Sequence, residues 1–212
     1  MNPAARAGRA VRDGTGQAGQ AGRTTRMSGP QRRRRVLDGA LAEFARGGYD
    51  ATPLTAVAAR CGVSQPYLFK LFPTKCDLFL AVAEHCFDGW RTLLADAAAD
   101  LAGPGALATM ARAACRDLDR SAPLAAFPLH LYAASHEPRL AEAARRHAEA
   151  LRETLVLASG LDDERTDLAF AAVLSAQTTS RLQGCAPVVR RALDRAVFQL
   201  TAAVSSTGDY GS

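Results

Sequence analysis

Three polar side chains that lie close together in the chain, Gln65, Tyr67 and Lys70, are of the types that contact DNA. The glutamine amide can form two hydrogen bonds with adenine, and the lysine can meet a guanine edge or a phosphate. The tyrosine can contact a phosphate or a thymine methyl group. Three apolar residues recur at helical spacing and are expected to face inward: Leu68, Leu71 and Phe72. The pattern predicts a short helix with a polar outer side that suits the DNA major groove.

A second short helix is predicted just before this one. Thr52 is expected as its N-cap, with Pro53 at the first helical position. Gly62 supplies the left-handed residue that ends it, Ser64 can cap the next helix, and Pro66 is tolerated in that helix's first turn. Two helices joined by a glycine-containing turn form a helix-turn-helix motif, whose second helix enters the major groove. The same spacing also fits an ordinary helical hairpin with a solvated face.

The run A-A-R-C-G-V-S-Q-P-Y-L-F-K-L-F-P-T-K at residues 58–75 resembles the signature of tetracycline-repressor-like (TetR family) transcriptional regulators. The specific resemblance covers about residues 32–80. It implies a three-helix DNA-binding head followed by an all-helical body for ligand binding and dimerisation. Phe69 and Leu71 depart from the family, which usually has tyrosine and often histidine there, and both usual residues can hydrogen-bond to phosphate.

The resemblance also implies individual roles. Thr52 would start the second helix, Gln65 and Tyr67 would lie on the recognition face, and Lys75 would open the fourth helix beside a phosphate. The candidate DNA-binding residues are Arg32, Arg33, Thr52, Ser64, Gln65, Pro66, Tyr67, Lys70 and Lys75.

Charge divides unevenly along the chain. Residues 1–75 hold 13 Lys and Arg against 4 Asp and Glu, a net charge of +9, while the rest holds 13 against 17, a net charge of −4. A basic head on an acidic body suits a protein that places one end on DNA, because neutralising phosphates dominates affinity. The alternative is a solvated run of charge without a partner.

The predicted domains follow from composition and helical spacing. Residues 1–31 are rich in Gly, Ala, Arg and Gln and predict a disordered basic arm, although Met27 could itself be the start. Residues 32–75 form the helix-turn-helix domain, in which Arg32 to Arg35 open the first helix and Gly47-Gly48 end it. Residues 76–205 form a helical regulatory and dimerisation domain, and residues 206–212 form a flexible tail. The long helix that leads into the domain is capped by Thr74, with Asp77 three residues on in a capping-box-like relation.

Seven side chains of the predicted body combine large apolar surfaces with a few polar groups, as small-molecule pockets do. They are Phe87, Trp90, Met110, Phe127, His130, Phe170 and Gln177. Aromatic residues at helical spacing also fit a plain core, so both interpretations stay open. His130 fits a core or pocket position better than a metal site, because no partner ligands accompany it.

The last two predicted helices, near residues 162–183 and 187–205, indicate an interface between subunits. The final helix is apolar over more than half its circumference and must be buried on two sides. A four-helix bundle with twofold symmetry is the simplest closure. The candidate interface residues are Leu168, Ala172, Val189, Leu193, Val197 and Leu200.

The sequence gives little support to a membrane protein, a metal-binding protein or an enzyme. No apolar run approaches the ~20 residues of a membrane-spanning helix, and five cysteines without a C-x-x-C pair fit a reducing compartment, so a cytoplasmic protein is expected. The histidines form no metal-binding motif, and no phosphate loop or nucleophile elbow occurs, so neither a cofactor nor an enzymatic activity is expected.

The sequence thus predicts an all-α homodimeric transcriptional repressor that a small-molecule ligand releases from its double-stranded DNA operator. The motif and the charge division predict the DNA binding, whereas the resemblance supplies the repression and the ligand. Two alternatives remain: a DNA-bound regulator whose body docks a protein partner, and a helical-bundle enzyme with a vestigial head. A mobility shift would separate the first two from the enzyme, and ligand-dependent loss of the shift would separate the first from the second.

Overall fold

The computed structural model describes residues 28–179 together with Arg191 and Arg195. This part of the chain forms eight α-helices and no strand. Their bounds are α1 Gly29–Ala51, α2 Leu54–Cys61, α3 Gln65–Leu71, α4 Lys75–Ala98, α5 Gly103–Arg120, α6 Ala122–Ala133, α7 Pro138–Ser159 and α8 Asp163–Thr179. The predicted all-α class is confirmed, and the predicted helix at 187–205 lies outside the described residues except for Arg191 and Arg195.

The first helix starts slightly earlier than the basic cluster that was expected to open it. Ser28 and Gln31 form a capping box at its beginning, so α1 starts at Gly29, three residues before Arg32. One face of α1 is apolar and buried, with Ala40, Leu41 and Phe44 at most 6% exposed and Leu37 half-buried beside them. A left-handed residue, Gly48 with φ of 75°, interrupts the helix where the sequence predicted its end.

The turn between α2 and α3 forms as predicted, but the start of α2 does not. Gly62 is left-handed (φ 65°) and closes α2, and the hydroxyl of Ser64 accepts a hydrogen bond from the Tyr67 N–H at 3.3 Å. The expectation that Thr52 caps α2 is wrong. Pro53 occupies that position without a side-chain cap, while Thr52 is buried and its hydroxyl donates to the Glu43 carbonyl at 3.5 Å.

Helix α4 runs for 24 residues from the head into the body. The predicted capping box between Thr74 and Asp77 is present at its start. The Phe79 ring lies between Phe44 of α1, at 4.8 Å between centroids, and Phe127 of α6, at 4.9 Å. Because these three aromatic rings share one core, the head and the body are packed together around α4.

The body helices pack along the inner face of α4. Gly103, Pro104 and Gly105 form the first turn of α5, where glycine and proline are tolerated. Pro138 stands at the first position of α7, and Gly160 ends α7 in a left-handed conformation. Three of the described cysteines, Cys61, Cys76 and Cys86, are buried and form no disulfide bond with one another.

Candidate nucleic-acid interface

The outer face of α3 carries the side chains that the sequence singled out, together with one that it did not. Pro66, Phe69 and Lys70 are exposed, and their spacing of three and four residues puts them on one side of the helix. Gln65 and Tyr67 flank them and are partly exposed. Of the three residues predicted to face inward, Leu68 and Phe72 are buried and Leu71 is half-buried. Helix α3 therefore presents a mixed face of one amide, one phenol, one ammonium group and one phenyl ring.

Two arginines of the first helix lie over aromatic rings of α3 and of the residue that directly follows it. The Arg32 guanidinium is 5.9 Å from the centroid of the Tyr67 ring, and that of Arg33 is 4.4 Å from the Phe72 ring. Both distances allow a cation–π attraction, which holds the start of α1 against α3. The predicted DNA-binding residues Arg32 and Arg33 are thus brought to the edge of the face that holds Tyr67.

Three other candidate residues have structural partners in this conformation. Thr52 is only 3% exposed and lies behind the surface, whereas the Ser64 hydroxyl caps α3. The Lys75 ammonium group donates to the Asp50 carbonyl at 3.0 Å and lies 5.2 Å from the centroid of the Tyr49 ring. Burial lowers the pKa of Lys75. Lys75 therefore fastens the start of α4 to the end of α1, and its contact with a phosphate stays a prediction.

A buried carboxylate fixes α2 against α1. The Glu43 residue is 5% exposed, and its two oxygens pair with Arg46 of the same helix and Arg60 of α2. A buried carboxylate without partners would be costly, so this pairing constrains where α2 can lie. Since α3 follows α2 after a turn, Glu43 also contributes to the placement of the outer face of α3.

The head and the body meet where α6 passes the end of α1. The Nε2 atom of His130 lies 3.0 Å from the Ala45 carbonyl oxygen. A β-carbon on Gly48 would approach Nδ1 of the same ring to 2.9 Å, so only glycine allows this contact. The sequence predicted His130 as a pocket residue, and the structure places it at this junction.

A second contact between head and body lies at the start of α4. Arg139, in the first turn of α7, donates a hydrogen bond to the Asp77 carboxylate at 2.7 Å. This bond, with the one from Thr74, holds the pKa of Asp77 below its usual range. Because Asp77 belongs to the capping box of α4, a movement of α7 acts directly on the first turn of that helix, which follows α3 by a few residues.

The remaining candidate ligand residues lie in the body core or outside the described side chains. Phe87, Trp90, Met110 and Phe127 are at most 2% exposed, and Phe170 is half-buried against the same core. Three buried polar atoms in the described part have no hydrogen-bond partner, namely Trp90 Nε1, the Tyr132 hydroxyl and His147 Nε2. The Gln177 side chain is not described. Buried positions fit both a core and a pocket, so the ligand-binding role of this set stays a prediction.

Only one of the candidate interface residues has a described side chain. Leu168 on α8 is 47% exposed, which is unusual for a large apolar residue and compatible with a subunit contact. The Ala172 side chain, Val189, Leu193, Val197 and Leu200 lie outside the described part. The proposed dimer contact therefore remains a prediction.

His147 on α7 stacks on Phe87 with ring centroids 4.6 Å apart and planes at 3°. Burial lowers the pKa of His147. At pH values above 6.5, the ordinary pKa of histidine, the ring is neutral in both the folded and the unfolded chain. At pH values below 6.5 the unfolded chain takes up the proton first. Stability is therefore expected to fall as the pH drops from about 7 to about 5, and part of this loss comes from His147.

The His147→Phe variant is expected to show a smaller decrease of melting temperature over this pH range than the wild type, because a phenyl ring keeps the stacking and cannot be protonated. Thermal unfolding followed by circular dichroism at several pH values measures the difference. Identical slopes for the wild type and the His147→Phe variant would contradict this account.

Two further classes of site were sought in the described residues. No group of three or more His, Cys, Asp or Glu side chains there could hold a metal ion. No helix of this part is long and apolar enough to cross a membrane.

Comparisons with known proteins agree with the geometry of the head. Residues 36–82 match the model of the family described as "Bacterial regulatory proteins, tetR family". The "HTH-type transcriptional repressor KstR" of Rhodococcus jostii is 38% identical over 58 residues, which is 27% of either chain. The chain thus spans about a quarter of the length of this curated relative.

Two solved structures resemble nearly the whole described fold. A tetR-type regulator from Chloroflexus aurantiacus has a TM-score of 0.70 at 20% identity, with 81% of this chain and 95% of that chain covered. The regulator FadR of Bacillus subtilis, solved with stearoyl-CoA, has a TM-score of 0.59 at 16% identity, with 77% and 97% covered. At these identities the likeness concerns the fold, and it extends over head and body alike.

Proposed function

Because residues 36–82 match the model of the tetR family of bacterial regulatory proteins, we propose that the chain is a DNA-binding transcriptional regulator of this family that a small-molecule effector controls. In this proposal the outer face of α3 enters the major groove of an operator in the cytoplasm. Repression is the favoured outcome of binding, as in the relative KstR.

One observation carries the DNA-binding part of the proposal, namely the outer face of α3 with Lys70 at its centre and Arg32 beside Tyr67. Lysine and arginine neutralise phosphates, and an amide such as that of Gln65 can read a base edge. The side chains between them carry no negative charge. A surface of this composition on the second helix of a helix-turn-helix motif fits a duplex better than it fits any other polyanion.

The effector part of the proposal rests on the connection between head and body. The body holds α4 at its first turn through Arg139 and holds the end of α1 through His130. A ligand that favours one arrangement of α6 and α7 would therefore change the position of α3 relative to a second copy, provided that it binds the two arrangements with different affinity. The buried set around Trp90 is the proposed binding region, in line with a neighbour in this fold that holds stearoyl-CoA.

The proposed active unit is a homodimer. Two copies would place two α3 helices about 34–36 Å apart, or a multiple of this distance, in successive major grooves. The contact is proposed to involve α8, where Leu168 is exposed, and the chain that follows it. Small changes in the spacing of the two heads would then be enough to lose the operator.

The experiment that tests the proposal compares two DNA duplexes. Full-length protein is mixed with the duplex from upstream of its own coding region and with a shuffled duplex of the same composition. The first is expected to bind at least about a thousandfold more tightly in a mobility-shift titration, a typical ratio of specific to non-specific affinity. A small-molecule extract of cells that carry the gene is expected to release it and to change the fluorescence of the sole tryptophan, Trp90. Equal affinity for both duplexes would contradict the proposal.

A further inference from the structure

Phe69 stands out among the large apolar residues of the head. Its side chain is on α3 and 41% of the residue is exposed, whereas the other phenylalanines described in the head, Phe44 and Phe72, are at most 3% exposed. An exposed phenyl ring contributes little to the stability of the head, because burial of apolar surface is what stabilises a core. A single exposed apolar residue is ordinary, so its position on the helix decides its meaning.

The position of Phe69 is on the face that is proposed to meet DNA. Pro66 and Lys70, which are exposed beside it, lie three residues before and one residue after it on α3. Pro66 lies one helical turn before both Phe69 and Lys70, so the three exposed side chains share one broad side of α3, with Phe69 and Lys70 on either flank of Pro66. A duplex that lies against this side of α3 is within reach of both the ammonium group and the phenyl ring.

A phenyl ring can recognise only apolar features of DNA. In the major groove the single apolar group on the base edges is the C5 methyl of thymine, and phenylalanine is among the residues that contact it. Cytosine, guanine and adenine present only hydrogen-bonding groups or bare ring edges there. The side chain has no hydroxyl that could donate to a phosphate, which removes the alternative role of a tyrosine at this position.

We propose that Phe69 is a specificity-determining residue that selects thymine in the operator by packing its ring on the C5 methyl group. The inference rests on the proposed DNA binding and adds a base preference to it. Because the contact is apolar, it does not depend on salt in the way that the contacts of Lys70 and Arg32 do. The thymine preference is therefore expected at both low and high ionic strength.

The test uses a duplex chosen by the protein itself. Full-length wild-type protein selects its preferred sequence from a pool of random duplexes, and each thymine of the winner is then replaced by deoxyuridine, which lacks only the methyl group. At one or two positions in each half-site, deoxyuridine is expected to weaken wild-type binding about fourfold, the effect of losing one buried methyl group. At the same positions the Phe69→Ala variant is expected to show no difference between the two bases.

Two further variants test whether the methyl preference depends on the side chain at position 69. Phe69→Leu keeps an apolar side chain and is expected to retain part of the methyl preference. Leu157→Ala removes an exposed apolar residue from α7, where 78% of Leu157 is exposed, and is expected to bind both duplexes as the wild type does. Thermal melting should be nearly the same in all variants, since each changed side chain is exposed.

The possible failures are distinguishable. If the random pool yields no enriched sequence, the proposed DNA binding itself fails. If a sequence is enriched but Phe69→Ala keeps the full deoxyuridine effect, or no thymine shows one, DNA binding stands and the role of Phe69 is overturned. A uniform loss of affinity in Phe69→Ala that does not depend on the methyl group would place the ring against the DNA backbone or another protein copy, and this also overturns the proposal.

Discussion

Replacement of Gly48 by alanine is expected to lower the free energy of unfolding by about 2–6 kcal/mol, the sum of a backbone share and a packing share. A side chain at the observed φ of 75° and ψ of −175° costs about 1–3 kcal/mol, because this backbone region is essentially open to glycine alone. The new methyl group would also approach His130 Nδ1 to 2.9 Å. The ring can retreat only by giving up its hydrogen bond to Ala45, so overpacking adds about 1–3 kcal/mol.

Two controls separate these contributions. Gly62→Ala also has a positive φ, 65°, but its ψ of 36° lies in the left-handed helical region and its methyl group would meet nothing within 4 Å, so it is expected to cost only about 1–2 kcal/mol of backbone strain. In a His130→Ala background the effect of Gly48→Ala should shrink to its own backbone share. Chemical denaturation of the wild type and of the four variants, Gly48→Ala, Gly62→Ala, His130→Ala and the double variant, measures the differences. If Gly48→Ala costs no more than Gly62→Ala, the close contact between α6 and the end of α1 is not what the structure indicates.

Replacement of Lys70 by alanine is expected to weaken operator binding by about 1–3 kcal/mol if the lysine meets a base edge. If it meets a phosphate, binding should weaken for all sequences, and the slope of log affinity against log salt should fall by about 0.9. Lys70 is exposed and is not part of the core, so the fold should be unaffected. Arg116→Ala removes a positive charge from an exposed position on α5 and is the matched control for net charge.

The parts of the fold that were predicted correctly depend on neighbouring residues. Gly62 as a helix stop, Ser64 as a cap and the pairing of Thr74 with Asp77 all involve residues within four positions of one another. Backbone conformation and short-range hydrogen bonds are enough to determine such features. The two short helices and the turn between them could therefore be predicted before any tertiary contact was known.

The predictions that failed or stayed open depend on distant contacts. Thr52 has the right type for an N-cap, yet packing against α1 buries it, and the carbonyl of Glu43 takes its hydroxyl. His130 meets Ala45, which lies 85 positions earlier, and no local pattern indicates that contact. Tertiary packing overrides local preference at both positions.

In the candidate site, too, the positions set by neighbouring residues could be predicted, and those set by distant contacts could not. The partly exposed Gln65 and Tyr67 and the exposed Lys70 could be predicted from their type and spacing, because inward residues between them define the outer face. Phe69 was noted only for the hydroxyl that it lacks. Its spacing from Pro66 and Lys70 was available in the sequence and would have placed it on that face. Lys75 could not be assigned in this way, since the Asp50 carbonyl that holds its ammonium group belongs to the end of α1.

The measurement that tests the central claim most directly is the affinity of wild-type, Lys70→Ala and Arg116→Ala proteins for one selected duplex across a series of salt concentrations. The account predicts that Arg116→Ala follows the wild type and that Lys70→Ala binds more weakly throughout, by fivefold or more at moderate salt. Circular dichroism confirms that all three are folded alike. Equal loss in both variants would mean that only total charge matters, and no loss in Lys70→Ala would mean that α3 does not face DNA, so either result would contradict the account.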